Sequence, residues 1–171
     1  MTTFIYGYDP ICGWCYGAAP ALRAVAKVMP VRLVMSGLVT GERVGPAAAM
    51  ETYVRGAAER LKAVTGRAPS EAFYSWMRSP GAVAASAPPA VAVHAVQMAR
   101  PEAALGFAQA LTEAHYADGM DPNDAYAAFA EGRAMGISSF PTFLLESEGQ
   151  LTPLPTLYDP TALINEINNT K

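Results

Sequence analysis

Cysteine and histidine are scarce in this chain, with two of each among 171 residues. A structural zinc site needs four ligands, commonly two closely spaced Cys or His pairs. His94 and His115 are too far apart in sequence to form such a pair. Aspartate or glutamate would have to complete any metal site built on the two cysteines. Charge of one sign is also missing. Twelve Lys and Arg stand against fifteen Asp and Glu, a net charge of -3 with no basic run. That removes the electrostatic footprint of a protein that binds nucleic acid or anionic lipid. No uninterrupted apolar stretch approaches the roughly 18 residues needed to span a bilayer. The first residues, MTTFIYGYDP, show no basic region followed by an apolar one. With no visible secretory signal, a cytoplasmic location is the expectation.

What remains is an ordinary globular composition, 51% apolar and 16% charged, in a chain long enough for one well-buried domain with an inserted subdomain. TTFIYGYD is rich in β-branched and aromatic residues and predicts a buried strand running up to the cysteines. A helical pattern follows from Gly13 to about Val28, with Leu22, Val25 and Val28 at core spacing. Pro20 lies inside it and should kink it. Val31 to Gly37 reads as a second strand, followed by the glycine-punctuated loop GLVTGERVGP. From Pro46 to about Gly136 the chain reads as nearly continuous helix, broken at TGRAPS, RSPG and ADGMDPND. Ser70 and Glu71 offer a cap and an early carboxylate to a helix carrying Phe73, Trp76 and Met77. Pro101 begins another helix at a favourable first position. TFLLES and QLTPLP read as short strands joined at Glu148-Gly149, and DPTALINEINN as a closing helix.

The two cysteines sit together, as CGWC at Cys12 and Cys15. In a reducing compartment a closely spaced pair points to catalysis or metal binding rather than structure. A structural disulfide would close a very short loop and remove little entropy from the unfolded chain. The redox reading also explains the surroundings. Cys12 falls where a strand ends and a helix begins, where unpaired N–H groups favour thiolate. Cys15 lies one turn further on, able to attack a mixed disulfide formed at Cys12. Gly13 makes little steric demand at the turn, and Trp14 adds an apolar surface beside it.

CGWC at a strand–helix junction, Pro20 five residues after Cys15, and SSFPT before the late hairpin together resemble the DsbA-like branch of the thioredoxin fold. DPICGWCYG, GLVTGERVGP and GRAMGISSFPTFLLE look like its cytosolic FrnE-like members. The resemblance implies an α/β thioredoxin fold with a mostly helical domain inserted between the second strand and the cis-proline hairpin. Residues 1–44 and 137–171 would form the thioredoxin-like domain and 45–136 the insertion. It implies a cis Phe140–Pro141 bond beside Cys12, with the backbone before the proline pairing with an extended peptide. Read without the resemblance, Pro141 starts an edge strand. Many relatives carry a buried acid on the first strand, and FIYGY has none. Asp9 is the nearest carboxylate and reads as a turn residue. Phe140 stands where many relatives have a smaller β-branched or hydroxyl residue, and ADGMDPNDAY is short for the family.

Other residues read as structural. His94 suits a partly buried packing role in an apolar helix, and His115 an interaction with the carbonyls of its helix end. Met77, Met98 and Met135 suit core gap-filling. Tyr6 and Tyr8 alternate as sheet-packing residues do. Arg43 reads as an exposed loop residue.

The expected activity is thiol–disulfide exchange with protein or peptide substrates. Cys12 would attack, Cys15 resolve, Gly13 and Trp14 shape the surface, and Phe140 and Pro141 contact substrate. No metal or organic cofactor is required, and glutathione would be a redox partner. Two alternatives stand beside it. One is a glutathione-dependent isomerase or transferase of the kappa-class or hydroxychromene-carboxylate isomerase type, whose members typically lack the second cysteine. The other is a peptide-binding or chaperone-like protein without catalysis.

Overall fold

The computed structural model describes residues 2–123, 134–137 and 142–170. They fall into two compact units divided after Asn123.

In the first unit β1 (Phe4–Tyr8) leads through α1 (Gly13–Ala26) to β2 (Val31–Met35). The strands pair in parallel, Phe4 opposite Val31 and Tyr8 opposite Met35. Parallel neighbours need a crossover, and α1 supplies it, running through Pro20. Beyond β2 the chain forms β3 (Gly45–Pro46), α2 (Glu51–Thr65), α3 (Glu71–Met77), β4 (Val83–Ala84), α4 (Ala87–Ala99) and α5 (Pro101–Asp118).

Local chemistry sets the helix ends. The Ser70 hydroxyl accepts from the Phe73 N–H at 3.1 Å to start α3. Pro101 opens α5, and Arg100 before it lies outside the helical region at φ −145° and ψ 78°. Gly119 ends α5 in the left-handed region at φ 71°, where a Cβ would also collide with the Ala72 carbonyl.

Two buried clusters share α5. In one, Tyr16 of α1 and Leu61 of α2 pack with Phe73, Met77 and Tyr116. In the other, Tyr8 and Leu33 of the sheet meet Val93, Ala104 and Ala108. Each large side chain fully buried in this way contributes about 1.5–3 kcal/mol. The second unit holds the antiparallel hairpin of β5 (Phe143–Ser147) and β6 (Gln150–Leu154). Glu148 and Gly149 between them have φ of 51° and 79°, as a two-residue type I′ turn requires. There α6 (Pro160–Thr170) starts where Asp159 accepts the Ala162 N–H at 2.8 Å.

Several expectations need correction. The block after Pro46 is not helix between its breaks alone, because Val83–Ala84 returns to pair with Gly45–Pro46. Serine anchors that return, since Ser86 Oγ accepts the Val39 N–H at 2.9 Å. Val28 is 77% exposed, because α1 ends two residues before it. Met98 and Met135 are exposed rather than core-filling, and His94 faces solvent rather than packing. On α4 only Pro89 and Val93 are buried, and its nearly uniform apolar sequence gave no stripe from which to choose a face. Phe4 and Ile5 are exposed, so β1 is buried only at its cysteine end.

Candidate active site

The turn from β1 into α1 is fixed from three directions. Asp9, buried at the strand end, accepts the Ile11 N–H through Oδ1 at 3.0 Å and the Leu38 N–H through Oδ2 at 2.7 Å. Its carbonyl accepts the Cys12 N–H at 3.2 Å. From α5 the Tyr116 hydroxyl donates to the Ile11 carbonyl at 2.7 Å. Asp9 is thus the turn residue the sequence suggests, with both carboxylate oxygens committed to backbone.

Cys12 occupies the half-in position before α1, with φ −95° and ψ 115°. Its carbonyl accepts the N–H groups of Cys15 at 2.9 Å and Tyr16 at 3.1 Å. Both cysteines are half-buried free thiols. Their acidities diverge. The Cys15 thiol hydrogen-bonds the Cys12 sulfur, burial opposes the resulting charge, and the backbone N–H groups of Cys15 and Trp14 favour it. The Cys12 pKa falls to about 6. That same hydrogen bond, together with burial, pushes Cys15 far above the ordinary thiol range. The Tyr6 side chain hydrogen-bonds Cys15 and partly offsets the rise, while burial first and that bond second raise Tyr6 itself.

Trp14 is 46% exposed at the surface beside Cys12. A Cβ on Gly13 would meet Leu61 and Tyr116 only at ordinary van der Waals distance, so glycine is not sterically demanded there. Cys12, Gly13 and Trp14 also line a cavity of ≈ 190 Å³ that reaches to Leu61, Phe73 and Trp76. Phe140 and Pro141 lie outside the described residues. His115, buried near the end of α5, directs Nδ1 to the carbonyl of Met120, two residues beyond the helix, at 2.8 Å, rather than to the helix's own last carbonyls as its position suggests. Arg43 is exposed. Among the described residues no group of three or more His, Cys, Asp or Glu gathers to hold a metal.

Three contributors to the site are not given a part in it by the sequence, and Tyr6 reads there as a sheet-packing residue. Tyr6 approaches Cys15, Tyr116 braces the turn, and Arg67 holds α1. The Arg67 guanidinium donates to the Tyr16 carbonyl at 3.0 Å, stacks over the Tyr16 ring at 3.8 Å and pairs with Glu113. Tyr116 and Arg67 act across 105 and 51 positions, beyond any local pattern. Tyr6 was reachable, since a two-residue period sets it on the same strand face as Tyr8.

No family model and no curated protein matches this sequence. Solved structures do. The cytosolic disulfide reductase DsbM from Pseudomonas aeruginosa is 27% identical, with a TM-score of 0.64 over 98% of this chain and 94% of that one. The same reductase with glutathione gives 26% identity and a TM-score of 0.63, over 98% and 95% of the two chains. A candidate protein disulfide isomerase from Nitrosomonas europaea shares the fold at 20% identity and a TM-score of 0.59, over 98% and 96%. Along nearly its whole length this chain is similar in fold to these DsbA-like disulfide reductase structures, and it carries two free thiols on a strand–turn–helix.

Proposed function

We propose that this protein is a thiol–disulfide oxidoreductase acting on protein or peptide disulfides through Cys12 and Cys15. The observation that carries the reading is a pair of free thiols on one strand–turn–helix, Cys12 at the start of α1 and Cys15 one turn on, with the Cys12 pKa lowered and that of Cys15 raised. A low-pKa thiol is nucleophilic at neutral pH, and a protonated neighbour waits without competing for substrate. The Cys12 thiolate attacks one substrate sulfur. The substrate S–S bond breaks, Cys12 Sγ–S forms, and the leaving thiolate takes the electron pair and a solvent proton. Cys15 gives up its proton, attacks Cys12 Sγ and releases the second substrate thiol. The dithiol is oxidised by two electrons and the substrate reduced by two, so the cysteines need no metal or organic cofactor.

A thiol such as glutathione would restore the dithiol, a reading supported by the glutathione-bound neighbour. The cytosolic description of DsbM supports a cytoplasmic location. Residues 1–44 and 137–171 would compose the thioredoxin-like domain around an inserted 45–136. Gly13 and Trp14 would shape the exchange surface, and Phe140 and Pro141 would position the substrate backbone.

A stabilised Cys12 thiolate favours the reduced form of the pair. A titration in glutathione buffers, counting free thiols, tests the dithiol reading. A reversible two-electron midpoint is expected. Thiols that never pair would end the oxidoreductase reading, and activity on a small electrophile that survives Cys15→Ser would favour the glutathione-dependent isomerase instead.

A further inference from the structure

A cavity of ≈ 190 Å³, lined mostly by apolar side chains, begins at Cys12. We propose that it binds an uncharged aromatic group carried on the sulfur that Cys12 attacks. The inference rests on the oxidoreductase reading for its chemistry, and on the cavity for its selectivity.

Size comes first. A dry apolar cavity of about 150 Å³ is enough to hold benzene. This one is ≈ 190 Å³, room for a single ring with one small substituent.

Charge comes second. Among the described residues that line the cavity there is no Asp, Glu, Lys or Arg. His115 in its wall gives Nδ1–H to the Met120 carbonyl at 2.8 Å, and burial lowers its pKa, so it stays neutral. The Tyr116 hydroxyl is already committed to the Ile11 carbonyl. The Trp76 Nε1–H, buried without a partner in a lining residue, offers at most one hydrogen bond, which does not repay the hydration a charged group would lose, and a peptide backbone would bring in several N–H and C=O groups at once. An uncharged side group avoids both costs.

Shape and position come third. Aromatic rings from Trp14, Phe73, Trp76 and Tyr116 contribute to the wall, and aromatic groups pack edge-to-face or offset against such surfaces. Cys12 and Gly13 belong to the same wall, so a ring bonded to the attacked sulfur, or one carbon away, reaches the cavity directly. The Cys12 thiolate attacks that sulfur, the substrate S–S bond breaks, and the other half leaves as a thiolate with the electron pair. Cys15 then displaces the aromatic thiolate, which takes a proton, and the Cys12–Cys15 disulfide forms.

The test uses the full chain and thioanisole, a neutral ring bearing an unreactive thioether. Trp14 and Trp76, the two tryptophans of the chain, both line the cavity and report occupancy by fluorescence. Saturable quenching is expected in the wild type. The same ring carrying a carboxylate, 4-(methylthio)benzoate, should bind at least about ten-fold more weakly. Ala57→Phe, which fills the cavity, should weaken thioanisole by a similar factor. A linear response, equal affinity for the two probes, or full affinity in a folded Ala57→Phe would overturn the proposal. If Ala57→Phe does not fold, the comparison of probes on the wild type decides. Saturable binding without a dithiol midpoint would overturn the oxidoreductase reading alone, and a midpoint without saturation would overturn this site alone.

Discussion

The Tyr116 hydroxyl of α5 donates to the Ile11 carbonyl at 2.7 Å, one residue before Cys12. The bond fastens the cysteine turn to the longest helix of the first unit. Tyr116→Phe keeps the ring, which stacks on Phe73 at a centroid distance of 4.7 Å, and deletes only the donor. A partly buried acceptor left without its partner costs up to about 1–3 kcal/mol. Urea denaturation should register a loss in that range. Alkylation of Cys12 at pH 7 should slow as well, because the N–H groups that face its sulfur lose a fixed aim. A variant as stable and as reactive as the parent would mean that the turn holds itself.

Cys12 has a pH signature with a definite sign. Its pKa is depressed in the folded reduced protein to about 6, from an ordinary thiol value of about 8.5. The stabilisation from its ionisation is therefore fully present above the unfolded value and is lost as pH falls through about 6. The raised pKa of Cys15 works in the opposite direction, against the folded form once pH exceeds the ordinary thiol value. Reduced-state stability relative to Cys12→Ser should rise from about pH 6 to 8.5 and gain nothing further beyond. Iodoacetamide trapping should give a midpoint near 6. Since the Cys15 hydrogen bond is the largest cause of the low value, Cys15→Ala should move that midpoint up. Cys15→Ser, which keeps an O–H donor, should move it less. Equal shifts in the two variants would assign the acidity to the helix terminus instead.

Tyr6 has the corresponding role at the second thiol. Its side chain hydrogen-bonds Cys15 and favours the thiolate that resolution needs. Tyr6→Phe should slow release of a mixed disulfide at Cys12 and leave the first attack nearly unchanged. Stopped-flow exchange with a model disulfide separates the two steps. Slowing of the first step alone would contradict this placement of Tyr6.

What could be read from sequence was what neighbours in sequence determine. The strand–turn–helix around CGWC, the Ser70 cap and the Glu148-Gly149 turn each depend on a few consecutive residues, and each forms as expected. Tyr6 was set aside because alternate tyrosines on a strand ordinarily pack a sheet, and Tyr8 does so, with its hydroxyl donating to the Ala108 carbonyl at 2.9 Å. The strand pattern gives the shared face but not the fact that α1 lays Cys15 against Tyr6. Tyr116, Arg67 and the cavity wall all depend on how α2, α3 and α5 pack, which no local periodicity encodes. On α4 the opposite problem arose, since Val91 and Met98 are as apolar as the buried Val93 yet face solvent.

Gly17 offers a test of that packing. A Cβ there would come within 2.6 Å of Leu61 Cδ1 and 2.9 Å of Thr65 Cγ2, so α1 and α2 touch through a missing side chain. Alanine in a helix interior normally gains about 1 kcal/mol over glycine. Overpacking costs about 1–3 kcal/mol, and the decision rests on whether the neighbours can yield. Leu61 has some freedom towards the cavity. Thr65 has little, because its Oγ1 donates to the Leu61 carbonyl at 2.8 Å and accepts the Arg67 N–H at 3.2 Å. Arg67 in turn grips the Tyr16 carbonyl next to Gly17. Gly17→Ala should therefore destabilise by about 1 kcal/mol despite its better propensity. Gly106, in the middle of α5 with open space where a Cβ would stand, supplies the control. Gly106→Ala should stabilise by up to about 1 kcal/mol. Urea melts of the two variants should move in opposite directions, and if both move up, α1 and α2 are not in close contact at Gly17.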